Sequence, residues 1–390
     1  MPVEIEPFHA IGVSVLAHEL KAQGRSVIHM EFGQPSTPAP KAAIVAAHRV
    51  LDTDPMGYWE SQPLIARIAR HYGETYGVPL QPRQVIMTCG ASAALVLALA
   101  STFEAGARIA MARPGYVAYR NTVKALHMQA VEIPCGHDER YQISAAAIAA
   151  LDPAPEGVIV ASPANPTGAI LPPAELRAIA EVCRARGIRI VSDEIYHGLS
   201  YVGPTHSMLE FEPGALVISS FSKYYSMAPW RLGWLVAPEA DRPRCRAFVS
   251  NLFLTAPSLA QHAALAAMDA TEELEANLAV YRKNRDLLLA ALPALGLKEV
   301  APPDGAFYIW ADVGHLTQDS LGFCKQLLND TGVCTAPGVD FDPVEGGHFI
   351  RISFAVSTPQ VEEAIRRMIP WFAEQGAGSG AVQTASGSRR

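Results

Sequence analysis

Between residues 85 and 240, short apolar runs alternate with segments long enough to form helices. The intervening segments are rich in Ala and Leu, as at residues 91–103 and 173–186. Such alternation is typical of βαβ units, in which helices cover both faces of a parallel sheet. We therefore predict an α/β fold whose large domain has a mostly parallel mixed sheet flanked by helices. The predicted strands are residues 85–88, 108–111, 157–161, 188–192, 216–219 and 232–237.

The pattern changes after residue 258. Residues 258–292 have helical spacing, and strand-like units follow at 305–310 and 349–354. These units predict a second, smaller α+β domain. Prolines at 35, 38 and 40 separate the N-terminal segment from the next helix, so we expect that segment to cross back to the smaller domain. The predicted division is a large domain at 46–280, a small domain at 1–45 plus 281–375, and a flexible Gly- and Ser-rich tail at 376–390.

Composition and charge exclude several classes of protein. Hydrophobic residues make up 49% and charged residues 18%, as in ordinary globular proteins. The net charge of -7 argues against nucleic-acid binding, and no apolar run is long enough for a membrane span. The six cysteines form no Cys-x-x-Cys pair, so we expect neither disulfides nor a metal site. The N-terminus has no signal-peptide pattern, which predicts a cytoplasmic protein.

A lysine stands where one of the apolar runs ends. Lys223 follows residues 216–219 within the sequence Ser-Phe-Ser-Lys-Tyr-Tyr-Ser. α/β proteins place their chemistry at the carboxyl ends of strands, where a side chain can be buried. Burial lowers a lysine pKa from about 10.4 towards neutrality and leaves a free amine that can attack a carbonyl carbon. The leading interpretation is a Schiff base between Lys223 and pyridoxal phosphate.

Such a cofactor needs partners for its ring. Asp193, at the end of the predicted strand 188–192, would pair with the pyridine nitrogen and keep it protonated. Tyr196 and the amide of Asn165 would donate hydrogen bonds to the ring oxygen. Tyr116, on a loop after a strand, would stack on the ring. An unpaired Asp193 would be a costly buried charge, which strengthens this interpretation.

The cofactor phosphate needs backbone donors at the start of a helix. The sequence Gly90-Ala91-Ser92 follows a predicted strand and opens a predicted helix. Ser220, Ser222 and Arg231 would complete the phosphate site, the last as a fork against two oxygens.

The chain resembles the class I/II aminotransferases, a family of fold-type I pyridoxal-phosphate enzymes similar to aspartate aminotransferase. The similarity runs from about residue 5 to 373. It implies an aminotransferase that moves the amino group of an L-amino acid to a 2-oxo acid by a ping-pong mechanism, with Lys223 as Schiff base and proton carrier. The matching motifs, in family order, are Asn165-Pro166-Thr167-Gly168, Ser192-Asp193-Glu194-Ile195-Tyr196, Ser220-Phe221-Ser222-Lys223 with Arg231, and Arg351-Ile352-Ser353-Phe354.

The resemblance also implies a homodimer whose active sites lie at the subunit interface. It implies that Arg351 binds the substrate carboxylate, that Gly33 approaches the substrate through its backbone, and that the Asn165-Pro166 bond is cis. Tyr58 would reach the partner subunit's phosphate site. Here the sequence departs from the family pattern, because residues 59–65 contain no Gly and no Arg.

Other functions stay open from the sequence. The same scaffold supports a pyridoxal-phosphate C–S β-lyase. The segment around Ser92 partly resembles the nucleophile elbow of an α/β-hydrolase, but the second glycine is absent. A regulator's sensor domain would need a DNA-binding domain ahead of Gly33. The substrate side chain is undecided: Arg113 or Arg120 would suit a dicarboxylate, whereas Tyr58, Trp59 and Phe253 would suit a neutral or aromatic side chain.

Overall fold

The computed structural model describes residues 3–386, with side chains up to residue 377. The helices are α1 (His9–Ala22), α2 (Lys41–Thr53), α3 (Gln62–Tyr76), α4 (Ala91–Thr102), α5 (Val117–Ala125), α6 (Ala145–Ala149), α7 (Pro173–Arg186), α8 (Arg242–Leu252), α9 (Ser258–Ala267), α10 (Thr271–Ala291), α11 (Ser320–Thr331) and α12 (Thr358–Ser386). The strands are β1 (Ile28–His29), β2 (Val85–Thr88), β3 (Arg108–Arg113), β4 (Gln129–Pro134), β5 (Gly157–Ala161), β6 (Arg189–Asp193), β7 (Leu216–Ser220), β8 (Gly233–Val236), β9 (Tyr308–Asp312), β10 (Val333–Cys334), β11 (Ala336–Pro337) and β12 (Phe349–Ser353).

A seven-stranded sheet forms the centre of the molecule, in the order β2-β8-β7-β6-β5-β3-β4. Pairs from β4 to β7 are parallel, whereas β8 runs antiparallel to both of its neighbours. The inner strands β5, β6 and β7 are buried almost throughout, because helices cover both faces of the sheet. This arrangement confirms the predicted α/β class with a mostly parallel mixed sheet.

Two smaller sheets consist of C-terminal strands together with the N-terminal strand β1. Strands β11, β12 and β9 form an antiparallel sheet, and β1 pairs in parallel with β10 through Ile28 and Val333. The latter pairing brings the N-terminal segment to the C-terminal strands. The predicted boundary at residues 280 and 281 falls inside α10, and the domain division stays a prediction.

The C-terminal end differs from the predicted tail. Helix α12 continues to Ser386, past the expected end of regular structure at residue 376. Residues 387–390 of the predicted tail lie outside the described residues. All six cysteines are free thiols, as predicted. In the described part of the chain, no helix is both long and apolar enough to cross a membrane. The cytoplasmic location stays a prediction.

Candidate active site

Most of the predicted site residues meet around one cavity of about 450 Å³ at the carboxyl ends of β6 and β7. Parallel strands place the residues that follow them at the same edge of the sheet, so segments far apart in sequence converge there. The predicted residues that line this cavity are Gly33, Ala91, Ser92, Tyr116, Asn165, Asp193, Tyr196, Ser222, Lys223, Arg231 and Arg351. We call it the first cavity.

Lys223 lies just beyond the end of β7, with its amine directed into the first cavity. Its Nζ donates a hydrogen bond of 2.6 Å to the carbonyl oxygen of Gly33. Burial first, and then the nearby cations Arg351 and Arg231, lower the pKa of Lys223 to about 8, against the opposing effect of Asp193. About a tenth of the amine is therefore neutral near pH 7, far more than for an ordinary lysine, and a nucleophile or base must be neutral.

Asp193 is the last residue of β6 and is buried. The hydroxyl of Tyr119 donates to its Oδ2 at 2.7 Å, and the backbone N–H of Ile195 donates to its Oδ1 at 3.1 Å. Burial raises the pKa of Asp193, while these two hydrogen bonds and Lys223 lower it. Tyr119 was not identified from the sequence. The available signal was its position three residues after Tyr116, on one face at the start of α5.

Tyr196 and Tyr308 both line the first cavity, and their hydroxyls are hydrogen-bonded to each other. The hydroxyl of Tyr196 lies 2.6 Å from that of Tyr308, a residue of β9 that the sequence indicated only as part of an apolar strand. Tyr308 also explains the glycine at 33, because a Cβ there would lie 1.7 Å from the Tyr308 hydroxyl oxygen. Only a residue without a side chain lets the backbone of Gly33 approach both Tyr308 and Lys223.

Arg351 is a buried arginine on β12, with 2% of its surface exposed. Its guanidinium carbon lies 4.4 Å from the ring centre of Tyr308 and 4.5 Å from that of Phe341. Its Nη1 donates to the side-chain oxygen of Asn165 at 2.7 Å, and Nη2 donates to the carbonyl oxygen of Glu31.

The remaining donor of Arg351, Nε, has no hydrogen-bond partner among the described residues. Its two bonded partners are neutral oxygens, and a buried cation balanced only by neutral groups is costly. The arrangement suits a ligand carboxylate. The Asn165-Pro166 peptide bond is cis, as the resemblance implied.

A second anion site lies where α4 begins. The helix starts at Ala91, after Gly90 with φ of 87°, and Ala91 and Ser92 of its first turn, whose N–H groups have no partner within the helix, line the first cavity. A Cβ on Gly90 would lie 2.6 Å from Nη2 of Arg231, and a Cβ on Gly233 would lie 2.8 Å from the carbonyl carbon of Gly90. Both glycines are therefore needed for the close approach of β8, the helix start and the guanidinium.

Three predicted site residues do not line the first cavity. The Oγ of Ser220 instead accepts a hydrogen bond of 3.0 Å from the backbone N–H of Ser222, so Ser220 shapes the loop that carries Lys223. Gly90 contributes through its contact with Arg231. Tyr58 is 85% exposed on the surface of this chain.

The candidates for the side-chain pocket also lie elsewhere. Arg113 lies 3.2 Å from Asp342, and Arg120 pairs with Glu6 and Glu132 at 3.0 Å each. Trp59 stacks on His262 with ring centres 4.5 Å apart. Neither arginine, nor Trp59 or Phe253, lines the first cavity.

The sequence missed the apolar part of the cavity lining. Phe8, Phe32, Leu95 and Ile195 contribute to it, together with the polar Gln34 and Thr122. No group of three His, Cys, Asp or Glu side chains in the described residues could hold a metal ion.

Known proteins share this architecture. Residues 25–368 match the family described as aminotransferase class I and II. The chain is 44% identical to the valine–pyruvate aminotransferase of Mycobacterium tuberculosis, over 95% of this chain and 97% of that protein. It is 29% identical to the (5-formylfuran-3-yl)methyl phosphate transaminase of Methanocaldococcus jannaschii, over 94% and 97%. A crystal structure of an aminotransferase from Mycobacterium tuberculosis matches with a TM-score of 0.93 at 44% identity, over 95% of this chain and 97% of that one. The resemblance seen in the sequence is confirmed: the chain belongs to the class I and II aminotransferase family and is an enzyme that transfers an amino group to a 2-oxo acid.

Proposed function

We propose that this enzyme transfers the amino group of a neutral aliphatic L-amino acid, of the size of L-valine, to pyruvate, with pyridoxal phosphate bound in the first cavity. The observation that carries the proposal is the charge of the lining. Three cations, Lys223, Arg231 and Arg351, face one carboxylate, Asp193. The cavity thus offers one cation to a phosphate and one to an α-carboxylate, and none of the other described residues that line it would offer a cation to a substrate side chain.

The residues present fit pyridoxal phosphate. The helix start at Ala91 and Ser92, with Ser222 and Arg231, would hold the phosphate. Asp193 would pair with the pyridine nitrogen, Tyr196 and the amide of Asn165 would donate to the ring oxygen, and Tyr116 would stack on the ring. When bound, pyridoxal phosphate supplies an electron-withdrawing ring attached to the substrate nitrogen.

The chain's own residues would perform the remaining tasks. Lys223 holds the cofactor at rest and then serves as the base, and a pKa near 8 leaves enough neutral amine at Nζ to take the proton from the substrate α-carbon and return it. Arg351 fixes the substrate carboxylate through its planar fork, which determines the bond presented for cleavage. Donor and acceptor use the same cavity in turn, which gives ping-pong kinetics.

The substrate assignment rests on two supports. The lining outside the charged residues is largely apolar, with Phe8 and Phe32 among its members. The relative at 44% identity carries the name valine–pyruvate aminotransferase. A buried apolar wall favours a hydrocarbon side chain over a charged one.

The test is a panel of amino donors with pyruvate and with 2-oxoglutarate. We expect the highest kcat/KM for L-valine with pyruvate, and at least about tenfold less for L-aspartate, because its side-chain carboxylate would be buried without a partner. Release of pyruvate and ammonia from cystathionine without any acceptor would favour the β-lyase alternative. A preference for L-aspartate would contradict the proposed donor.

We further propose that the enzyme is a homodimer. Exposed apolar side chains lie on α2 and on two adjoining segments, which are joined by a hydrogen bond of 2.7 Å from Thr255 to the carbonyl oxygen of Trp59. A second copy of the chain would cover this surface and bring Tyr58 to the partner's phosphate site. Light scattering should give twice the chain mass of 41.8 kDa. The side chains concerned are Ile44, Val45, Leu51, Tyr58, Trp59, Leu252 and Leu254.

A further inference from the structure

The segment just before α1 forms part of the wall of the first cavity. Phe8 is half-buried and lines the cavity beside Phe32. The ring of Phe8 meets the rings of Phe32 and Phe341 edge to face, with centres 6.5 Å apart in each case. Phe341 in turn covers the guanidinium of Arg351. Phe8 therefore stands on the side of the cavity where the substrate carboxylate would bind.

One end of this segment is attached to α5. The Glu6 carboxylate lies 2.6 Å from Nζ of Lys124 and 3.0 Å from Nη2 of Arg120. The side-chain amide of Asn121 donates to the carbonyl oxygen of Glu6 at 3.1 Å. The hydrogen bond from Lys124 lowers the pKa of Glu6, so the carboxylate is ionised at neutral pH.

The other end is attached to the C-terminal half of the molecule. The backbone N–H groups of His9 and Ala10 donate to the Asp340 carboxylate at 2.7 and 2.8 Å. These contacts hold the start of α1 next to Phe341. Phe8 thus lies between two carboxylate anchors, Glu6 on α5 and Asp340 beyond β11.

Helix α5 also supplies part of the cavity wall. Ala118, Tyr119 and Thr122 line it from the same helix that carries Arg120 and Lys124. The ion pairs of Glu6 with α5 therefore fix the distance between Phe8 and the α5 residues of the wall, because both are held by the same helix. That distance limits the width available to a substrate side chain.

We propose that Phe8 is a specificity-determining residue that restricts the amino donor to side chains of about the size of valine, and that Glu6 is the positioning residue that holds it. This inference rests on the proposed function, since it describes the side-chain site of the same reaction. A smaller residue at position 8 would widen the site and readmit water, whereas loss of the Glu6 charge would let Phe8 move.

The first test replaces Phe8 with alanine in the intact enzyme and compares L-valine with L-phenylalanine as donors to pyruvate. We expect kcat/KM for L-valine to fall about tenfold and that for L-phenylalanine to rise, because a hydrophobic pocket discriminates by fit. Ile5→Ala, which trims an exposed apolar residue of the same segment, is the control and should leave the ratio of donors unchanged. An unchanged ratio in Phe8→Ala would overturn the assignment of the wall.

The second test replaces Glu6 with glutamine, with the exposed Glu4→Gln as the charge-matched control. We expect KM for the preferred donor to rise about threefold with little change in kcat, since a partly exposed ion-pair network contributes modestly. The decisive variant combines Glu6→Gln with Phe8→Ala. If Glu6 acts through Phe8, its substitution adds nothing once Phe8 is gone. Equal effects of Glu6→Gln in both backgrounds would show that Glu6 acts otherwise.

The proposed amino donor and the proposed role of Phe8 are tested by separate measurements. The wild-type donor panel alone judges the proposed function. The variants are compared with wild type on whichever donor of the panel the wild-type enzyme uses best, so an unexpected donor refutes valine as substrate but still tests the wall.

Discussion

Two neighbouring carboxyl side chains face two different cavities on opposite sides of one strand end. Asp193 lines the first cavity, and Glu194 lines a second cavity of about 590 Å³ between α3, β8 and α10. Both side chains are buried. Their surroundings differ in the charged groups that line each cavity with them.

The hydrogen bonds to Glu194 all reach one of its oxygens, and Oε2 has no hydrogen-bond partner among the described residues. Its Oε1 accepts hydrogen bonds from the hydroxyls of Ser192 and Ser207, both at 3.1 Å, and from the backbone N–H of Met208 at 2.9 Å. Burial nevertheless raises the pKa of Glu194 to about 8, so the group is largely a neutral acid near pH 7. A cation that lines the second cavity, Arg67, has a carboxylate partner: its Nε lies 2.8 Å from Oδ1 of Asp269.

The first cavity is left with an excess of positive charge. Lys223 and Arg351 donate to backbone or amide oxygens, and Arg231 donates to the carbonyl oxygen of Ala228 at 3.0 Å. Cavity size does not identify the active site, since the second cavity, at about 590 Å³, is larger than the first, at about 450 Å³. The excess of positive charge in the first cavity does, because an anionic ligand would balance it.

The largest effect is expected from removing the amine of Lys223 from the first cavity. Lys223→Ala should lower kcat by about 10⁴-fold, since it removes the group proposed to move the proton. The thermal midpoint should not fall, because a buried amine with a lowered pKa costs stability. Turnover assays and a melting curve check both expectations, with the exposed Lys298→Ala as control. Normal amino transfer by the variant would refute the proposed role of Lys223.

The next prediction concerns the second cavity and leaves the chemistry intact. The unfolded chain loses the Glu194 proton near pH 4.5, whereas the folded protein keeps it up to about pH 8, so the stability of the wild type falls as pH rises between these values. Glutamine does not titrate. The difference in free energy of unfolding, Glu194→Gln minus wild type, should therefore increase by on the order of 3 kcal/mol from pH 5 to pH 8.

Urea unfolding of both proteins at the two pH values measures this difference, with Glu74→Gln at the same cavity as the matched variant. Parallel pH curves for wild type and Glu194→Gln would mean that Glu194 is ionised in the folded enzyme. The two cavities would then not differ as described.

The smallest effect is expected from removing one hydrogen bond to Asp193, the carboxylate of the first cavity. Tyr119→Phe removes the 2.7 Å hydrogen bond to Oδ2 and leaves the bond from Ile195. A hydrogen bond to a charged group contributes about 1.5–3 kcal/mol, so kcat/KM should fall about tenfold. Tyr141→Phe, a buried tyrosine outside the cavity, is the control. If Tyr119→Phe is as active as wild type, Asp193 does not depend on this donor.

The sequence was informative where chemistry follows a strand. Lys223 and Asp193 stand directly after or at the end of apolar runs, and their neighbours form local motifs that could be predicted together. The strands of the sheet interior were predicted for the same reason. Strand β4 was not identified, because it is only partly buried and carries Gln129 and Glu132 within it.

The remainder of the site depends on contacts between distant segments. Tyr308 reaches Tyr196 across 112 positions, and Arg351 reaches Asn165 across 186. Phe8 lines the cavity from a segment that contacts α5 through Glu6 and Asp340 through the backbone of α1. Local periodicity describes each of these residues as part of a core or a loop, and their function arises from packing that no single segment contains.

The contact between Gly33 and Tyr308 constrains how this enzyme can diverge. A methyl group at position 33 would overlap the Tyr308 hydroxyl, and even a phenylalanine at 308 would leave a ring carbon 2.6 Å away. Any other residue at 33 must therefore be preceded by a small residue at 308, whereas the reverse order is open. The mutational route between the two positions runs in one direction, so descendants should lose the tyrosine before they lose the glycine.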